Sequence, residues 1–431
     1  MKTVIVGNHA AGLSAAETLR KGDRSCDITV ISRENVPPYS RCLIPYLVSG
    51  EKKVDDILFR PRDFYKENNI KTMLGAEVVR VLDKDRQVLL ADGKKVDFNF
   101  LIIATGGTPT VPAIPGIKSA GVFGFRTLHD AEGIMAYCDK VESAVVLGGG
   151  LIGLKAAAAL HERGKQVRVF VDSPSILSQI IGSEDAKVVE KYLAKKGLEI
   201  RIKTSPARIL GNGKVEGIET TEGETVSCQM VVVGKGVKAN RDIANGTGIE
   251  TNYGIVVDEH CRTSVPYIYA AGDVAQSQDN VRKERWMNAL WPLAVEEGRV
   301  AAENVLGTKA SLRERTSMNS LVIEDLPLIS CGITGAREKV EGSEEVTIKG
   351  PGRWKHRRFI LKNNVLIGFV LVGDVVHAGV LTSLVRKGIN VEEIKERLLS
   401  GKFDFASILP LVRKNSERFY EKEYKEVLAF F

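Results

Sequence analysis

With 431 residues, 44% of them hydrophobic, the chain has room for about two to four globular domains and enough apolar material for their cores. No apolar run approaches the roughly 18 to 20 residues of a membrane-spanning helix, and the N-terminus enters a strand without a signal-peptide pattern, so a cytoplasmic protein without a membrane span is expected. The net charge of +7 is spread among 54 acidic residues, and the densest basic group, Lys355-His356-Arg357-Arg358 beside Trp354, accompanies no recognition motif, so no nucleic-acid partner is expected.

Lys2 to Val6 is a β-branched apolar run that reads as a strand, and it enters Gly7-Asn8-His9-Ala10-Ala11-Gly12 ahead of a helix over Leu13 to Lys21. Such a turn can bind a pyrophosphate. Its first glycine makes the bend, its last allows close helix-sheet packing, and the amides at the helix N-terminus face the anion. His9 stands where the middle glycine is usual, so this turn taken alone is an incomplete match. A second strand, Asp27 to Ile31, leads to Glu34, a carboxylate placed to accept hydrogen bonds from a ribose diol.

The loop Pro37-Pro38-Tyr39-Ser40-Arg41-Cys42 then delivers a cysteine to the start of another helix. Beside Arg41 and at a positive helix end, the Cys42 thiol is expected to have a lowered pKa and to be partly thiolate at neutral pH. The other five cysteines, Cys26, Cys138, Cys228, Cys261 and Cys331, show no C-x-x-C or zinc-ligand spacing, and the six histidines show no H-x-x-x-H or H-E-x-x-H pattern. Neither a disulfide scaffold nor a metal site is expected.

Leu101 to Ile103 is a buried-strand pattern ending in Ala104-Thr105-Gly106-Gly107, and Pro109, Pro112, Pro115 and Gly116 mark a boundary. Ser143 to Leu147 is again a strand. It precedes Gly148-Gly149-Gly150-Leu151-Ile152-Gly153, a complete G-x-G-x-x-G, then a helix over Leu154 to Glu162 and a strand over Gln166 to Val171. The strand-turn-helix-strand unit therefore occurs twice. A helix near Asp185 to Lys196, strands near Glu199 to Lys203 and Val215 to Thr220, and the run Met230 to Gly234 complete the second unit. Pro266 to Asp273 reads as a strand ending in Gly272-Asp273, whose carboxylate can hold a sugar or ribityl hydroxyl, and Trp291 to Val305 as a helix. From about Ser311 the pattern changes. Strands at Glu345 to Lys349, Arg357 to Leu361 and Val365 to Leu371 precede helices at Ala378 to Lys387 and Val391 to Leu398, as in a separate α+β domain. The expected fold class is α/β, with two Rossmann-like dinucleotide-binding domains and a C-terminal α+β domain.

With two dinucleotide turns, Ala104-Thr105-Gly106 closing the first unit and Tyr269-Ala270-Ala271-Gly272-Asp273 following the second, the chain resembles the pyridine nucleotide-disulfide oxidoreductase family over its whole length. The resemblance implies a discontinuous FAD-binding domain (1–112 and 240–310), an inserted NAD(P)H-binding domain (113–239) and a C-terminal domain (311–431) forming a homodimer interface. It implies FAD on Gly7, Ala11, Gly12, Glu34, Arg41, Thr105, Gly106 and Asp273, and NADH or NADPH on Gly148, Gly150, Leu151, Ile152, Gly153 and Asp172.

Ser40-Arg41-Cys42-Leu43-Ile44-Pro45-Tyr46 resembles the single-cysteine branch, which includes coenzyme A disulfide reductases, NADH oxidases and peroxidases, and persulfide or polysulfide reductases. By that likeness Cys42 is catalytic and cycles between thiolate and an oxidised form, with a small disulfide, polysulfide, oxygen or peroxide as acceptor. Pro37-Pro38-Tyr39-Ser40-Arg41 and the run Val365 to Asp374 instead resemble the nitrite-reductase and rubredoxin-reductase branch, which lacks that cysteine. That likeness implies electron transfer to a small carrier protein such as rubredoxin or ferredoxin. A third possibility is a redox-sensing, partner-binding flavoprotein.

Departures from the family pattern add further expectations. Lys155 replaces the usual glutamate of the nicotinamide-site helix and faces either a carboxylate such as Glu51 or solvent. Val171 takes the usual ribose-acid position with Asp172 next, and the lack of an adjacent basic pair points to NADH over NADPH. Arg20 and Lys21 suit either coenzyme A phosphates or simply a helix C-terminus. The apolar tail Phe419 to Phe431 is expected to be buried at a dimer interface.

Overall fold

A computed structural model describes residues 1–312, 315–350, 352–400, 403–419 and 424 of the protein. Five parallel strands form the first sheet, in the spatial order Ile268–Ala270, Phe100–Ile103, Lys2–Val6, Asp27–Ser32 and Lys71–Leu74. Val4, Ile5, Leu101, Ile102 and Ile103 are fully buried, because both faces of this sheet are covered. That is why these strands are apolar without alternation. One face carries the helices Ala10–Gly22 and Trp291–Val305, packed through Leu13, Ala16, Leu19, Ala301 and Ala302. Their close approach requires Gly298: a Cβ there would lie 2.2 Å from the carbonyl oxygen of Ala11. On the other face lies a three-stranded antiparallel sheet, Val78–Leu82, Gln87–Leu90 and Lys95–Asp97.

The second sheet repeats the plan. Its parallel strands run in the order Glu199–Ile202, Gln166–Val171, Ser143–Leu147, Met230–Val233 and Val122–Phe123. In each sheet the strand before the glycine turn is central, with the next strand on one side and the fourth on the other. Each also has a three-stranded antiparallel insertion before that fourth strand, here Pro206–Leu210, Gly217–Thr220 and Thr225–Ser227. The edges differ. The first sheet is completed by Ile268–Ala270, which arrives after the whole second unit, and the second by Val122–Phe123, which precedes it. The chain passes between the two through the antiparallel pair Gly107–Pro109 and Val237–Ala239.

Both turn helices begin earlier than their apolar periodicity indicates, at Ala10 and Leu151, so the last glycine of each turn lies inside the first helical turn. The loop cysteine also sits differently. Cys42 belongs to a 3₁₀ turn, Arg41–Leu43, ahead of a six-residue helix, Ile44–Ser49. Ile44, Leu47 and Val48 of that helix join the core of the second unit, against Leu154 and Ala157. The segment after the cysteine therefore ties the two units together.

The C-terminal sheet is antiparallel, in the order Met318–Ile323, Leu326–Gly332, Val365–Val372, His356–Lys362 and Ser343–Lys349, with the helix Ala378–Lys387 against it. The region read as a helix from Val391 is a 3₁₀ turn, Glu392–Ile394, followed by the short helix Lys395–Leu399. Asp185, at the start of the helix Ser183–Lys196, joins this domain to the second unit. Its carboxylate is 2.6 Å from His356 Nε2 and accepts from Arg358 Nε at 2.8 Å, all three residues being buried. Phe419 is fully buried within its own domain, and the rest of the expected apolar tail, Tyr424 apart, lies outside the described residues. No helix among the described residues is long and apolar enough to cross a membrane.

Candidate functional site: two glycine turns and an exposed thiol

The two turns share their strained geometry. Gly7 has φ +128° and Gly148 has φ +120°, a left-handed region that disfavours any side chain. A Cβ at Gly12 would lie 2.0 Å from Gly7 O, and one at Gly153 would lie 1.8 Å from Gly148 O. Both final glycines are thus required by the fold. Among the described residues neither helix N-terminus has a side-chain cap, which leaves its first amides for an anion.

The middle position separates the turns. At Gly150 an added Cβ would meet no described atom within 4 Å, so the fold itself does not require glycine there. The space is on the open side of the turn, where a pyrophosphate would approach, and Leu151 and the partly exposed Ile152 open the helix beside it. In the first turn this position is His9, an extended residue (φ −125°) whose ring packs edge-on against Tyr39 with centroids 4.9 Å apart. Ala11, in the first turn of the helix Ala10–Gly22, faces Gly298 of the helix Trp291–Val305 and Gly272 just past the strand Ile268–Ala270.

Glu34 lies at the centre of a polar cluster beside the first turn. Arg41 pairs with it through Nη2, Tyr39 donates its hydroxyl to Oε2 at 2.7 Å, and His9 Nε2 is 3.2 Å from Oε1. The same Arg41 nitrogen is 2.7 Å from His9 Nε2. Burial and then the Arg41 charge lower the His9 pKa, so the ring is neutral, accepts from Arg41 at Nε2 and donates from Nδ1 to Tyr39 O at 3.2 Å. For Glu34, burial works against ionisation, but the Arg41 charge and the hydrogen bond from the Tyr39 hydroxyl outweigh it and hold the carboxyl below the usual range. The result is a preorganised anion with its acceptor oxygens aimed from a rigid frame.

Cys42 is exposed, whereas the other five cysteines are buried. Its pKa is raised rather than lowered: although the residue is open to solvent on one side, the protein packed around the sulfur strips part of its hydration and contributes most, the nearby Asp273 carboxylate adds to it, and Arg126 opposes. The expected lowering fails for two reasons. Arg41 turns away to Glu34, His9 and the Arg126 carbonyl, to which it donates at 2.7 Å, and the helix behind Cys42 has only six residues and begins two residues later. Arg126 instead pairs with Asp273 at 3.0 Å. Gly272, before that aspartate, has φ +77° and donates its amide to Glu297 at 2.8 Å. Thr105 and Gly106 meet the second crossing segment. Thr105 Oγ1 donates to Asn240 O at 3.0 Å, and the Asn240 amide returns a bond to Thr105 O at 2.9 Å.

The sequence reading missed Arg126, Tyr39, Glu297 and Lys235. Arg126, Glu297 and Lys235 gain their roles from partners far along the chain, whereas Tyr39, five residues from Glu34, had a nearby signal. Lys155 is partly buried and lies over Tyr46, with Nζ 5.1 Å from the ring centroid, and its charge acts on the Glu162 carboxyl. Arg20 is structural. Its five N–H donors reach the carbonyls of Asn68, Asp23, Arg24, Cys26 and Asn69 at 2.6–3.1 Å, leaving none for a phosphate. Among the described residues no group of three His, Cys, Asp or Glu side chains could hold a metal ion.

Residues 1–298 match the family described as pyridine nucleotide-disulphide oxidoreductase. The chain belongs to the pyridine nucleotide-disulfide oxidoreductase family. Residues 318–389 match the C-terminal domain of rubredoxin NAD⁺ reductase. An NADH oxidase of Methanocaldococcus jannaschii is 32% identical over 343 residues, covering 78% of this chain and 76% of that one. A nitrite reductase of Bacillus subtilis is 28% identical over 394 residues, and the chain spans only 48% of that longer relative. The solved NAD-dependent persulfide reductase from A. fulgidus superposes with a TM-score of 0.86 at 26% identity, covering 94% of this chain and 79% of that one. Membership makes this protein an FAD-dependent NAD(P)H oxidoreductase.

Proposed function

We propose that Gly7, Ala11, Gly12, Glu34, Arg41, Thr105, Gly106 and Asp273 hold FAD, and that Gly148, Gly150, Leu151, Ile152, Gly153 and Asp172 hold NADH or NADPH. On this reading 1–112 with 240–310 form the FAD-binding domain, 113–239 the nicotinamide-nucleotide domain and 311–431 the interface of a homodimer. The uncapped helix N-termini and the open side of Gly150 support it. The bound cofactors supply a two-electron reduction, which is the chemistry the side chains lack.

Cys42 receives that electron pair and reduces a small disulfide, persulfide or polysulfide. One observation carries this assignment: of the six cysteines, all within the described residues, only Cys42 is exposed, and it stands beside Asp273 and Arg126. Its thiolate attacks one sulfur of the substrate, the substrate S–S bond breaks, a new S–S bond forms to Cys42, and the departing thiolate takes up a proton. Two electrons then break that new S–S bond, restoring the Cys42 thiolate and releasing the second thiolate, which takes up a proton. Arg126 offers the positive charge that favours the thiolate, and Asp273 opposes it.

The test is an anaerobic titration with NADH, followed by absorbance, of the wild type and Cys42→Ser. Uptake of electrons beyond those the flavin holds, lost in the variant together with turnover of coenzyme A disulfide or polysulfide, is the expected outcome. Undiminished turnover in Cys42→Ser would falsify the assignment. A second reading, electron transfer to a rubredoxin-like iron-sulfur protein, is favoured by the match of residues 318–389 and by the raised Cys42 pKa, which keeps the sulfur a thiol at neutral pH. Rubredoxin reduction that survives Cys42→Ser distinguishes it.

A further inference from the structure

Asp172, one residue past the strand Gln166–Val171, is bound from two sides. Ser205 Oγ donates to Oδ1 at 3.2 Å, and the Lys235 ammonium pairs with Oδ2. Lys235 comes from elsewhere in the sheet. It follows the strand Met230–Val233, which lies on the far side of Ser143–Leu147 from the strand that carries Asp172. Its backbone adjoins the glycine turn: a Cβ built on Gly148 would lie 3.3 Å from Lys235 N, and one built on Gly234 would lie 2.7 Å from Gly153 Cα. The lysine side chain therefore spans from the turn to the carboxylate, across the crevice where the strand order reverses and dinucleotides bind in such sheets. Only 16% of it is exposed, whereas the Asp172 side chain is 51% exposed and open to a ligand.

A carboxylate alone at this place discriminates. It accepts hydrogen bonds from a ribose 2′-hydroxyl and repels a 2′-phosphate, which carries about −1.5 to −2 charges at neutral pH. An ammonium held against the carboxylate cancels that repulsion, and its three donors can turn to phosphate oxygens. We propose that Lys235 sets nucleotide selectivity, and that its pairing with Asp172 lets the site take adenosine 2′-phosphate nucleotides as well as those with a free 2′-hydroxyl. This rests on the reading that the second turn binds the adenosine half of NAD(P)H. The basic partner that the sequence lacks next to Asp172 is supplied by the fold from 63 residues away.

Isothermal titration calorimetry of 2′,5′-ADP and 5′-AMP, with the purified flavoprotein, tests the proposal without turnover. The wild type is expected to bind both within about tenfold of one another. Lys235→Ala should weaken 2′,5′-ADP by about ten- to a hundredfold, the range for a charge-assisted hydrogen bond, and move 5′-AMP far less. Lys235→Arg should retain 2′,5′-ADP binding, which separates a lost charge from a lost fold, and Asp172→Asn should tighten 2′,5′-ADP while weakening 5′-AMP. Binding of neither probe by the wild type would overturn the reading of the second turn itself. Binding of both with no selective loss in Lys235→Ala, or a wild-type preference for 5′-AMP beyond a hundredfold, would overturn the role of Lys235 alone.

Discussion

The two strand-turn-helix units solve one geometric problem twice, and they diverge where the fold sets no constraint. Their first glycines share a φ near +120° to +128°, and their last glycines press within 2.0 Å, as a Cβ would measure it, of the preceding carbonyl. Those positions keep a helix tight on a sheet. The middle position is free in the second turn and filled by His9 in the first. The acids that follow differ too. Glu34 is enclosed by Arg41, His9 and Tyr39, with about a quarter of its side chain exposed, whereas half of Asp172 is exposed beside Lys235. On the proposed assignment, the first unit holds its ligand in place and the second lets one come and go.

The largest effect should come from the shared positions. Gly12→Ala and Gly153→Ala each force a methyl into a backbone oxygen, and each is expected to cost about 2–4 kcal/mol, with loss of flavin retention in the first and of nucleotide binding in the second. Gly150→Ala should behave otherwise. Its thermal unfolding should stay within about 0.5 kcal/mol of wild type, while NADH binding falls by about tenfold or more. If Gly150→Ala unfolds as readily as Gly153→Ala, the separation between fold and ligand positions fails.

The tethered acids sharpen the comparison at a smaller scale. Arg41→Ala removes the partner of a mostly buried carboxylate and is expected to destabilise the protein by about 2–3 kcal/mol in urea unfolding at pH 7. Lys235→Ala breaks a pair whose acid is half exposed, and should cost under about 1 kcal/mol. The pH dependence follows the same logic. The Glu34 carboxyl is held below its ordinary value of 4.5, so its pairing contributes fully above pH 4.5 and is lost as the pH falls below it. Arg41→Ala should therefore flatten the acid limb of the stability profile.

What the sequence disclosed follows from how local each feature is. Strand, glycine turn, helix and strand are contiguous, and apolar runs with left-handed glycines announce them in both units. The helix starts were misread because Ala10, Ala11 and Gly12 lack the apolar periodicity that marks a helix, although they occupy its first turn. The strand Met318–Ile323 was missed because Asn319 and Ser320 interrupt the pattern at the edge of the sheet, and Leu326–Gly332 because Pro327 and Ser330 break its apolar run. Glu34 and Arg41 are seven residues apart and could be read together, whereas Asp172 with Lys235, and Asp273 with Arg126, are joined only by the fold, across 63 and 147 residues. The error over Cys42 has the same source. Adjacency in sequence makes Arg41 its nearest charge, but consecutive side chains point apart, and the charges that act on the sulfur come from Asp273 and Arg126.

That last point gives the smallest expected effect and the most specific one, because the second unit has no counterpart to this thiol. Burial and Asp273 raise the Cys42 pKa above its ordinary value of 9.0, so the thiolate fraction is low at neutral pH and rises with pH. Alkylation by iodoacetamide should accelerate with pH with a midpoint above that of a free thiol, and Cys42, the exposed cysteine, should carry the label. Removing the opposing carboxylate with Asp273→Asn should speed labelling at pH 8 by about three- to tenfold, as a shift of half to one pKa unit requires. Arg126→Ala should slow it, because the cation favours the thiolate. A wild-type midpoint well below that of a free thiol would mean that bound cofactor, rather than the protein's own charges, governs the sulfur. Cys42 would then be tuned by a ligand of the first unit, and not by Asp273 and Arg126 alone.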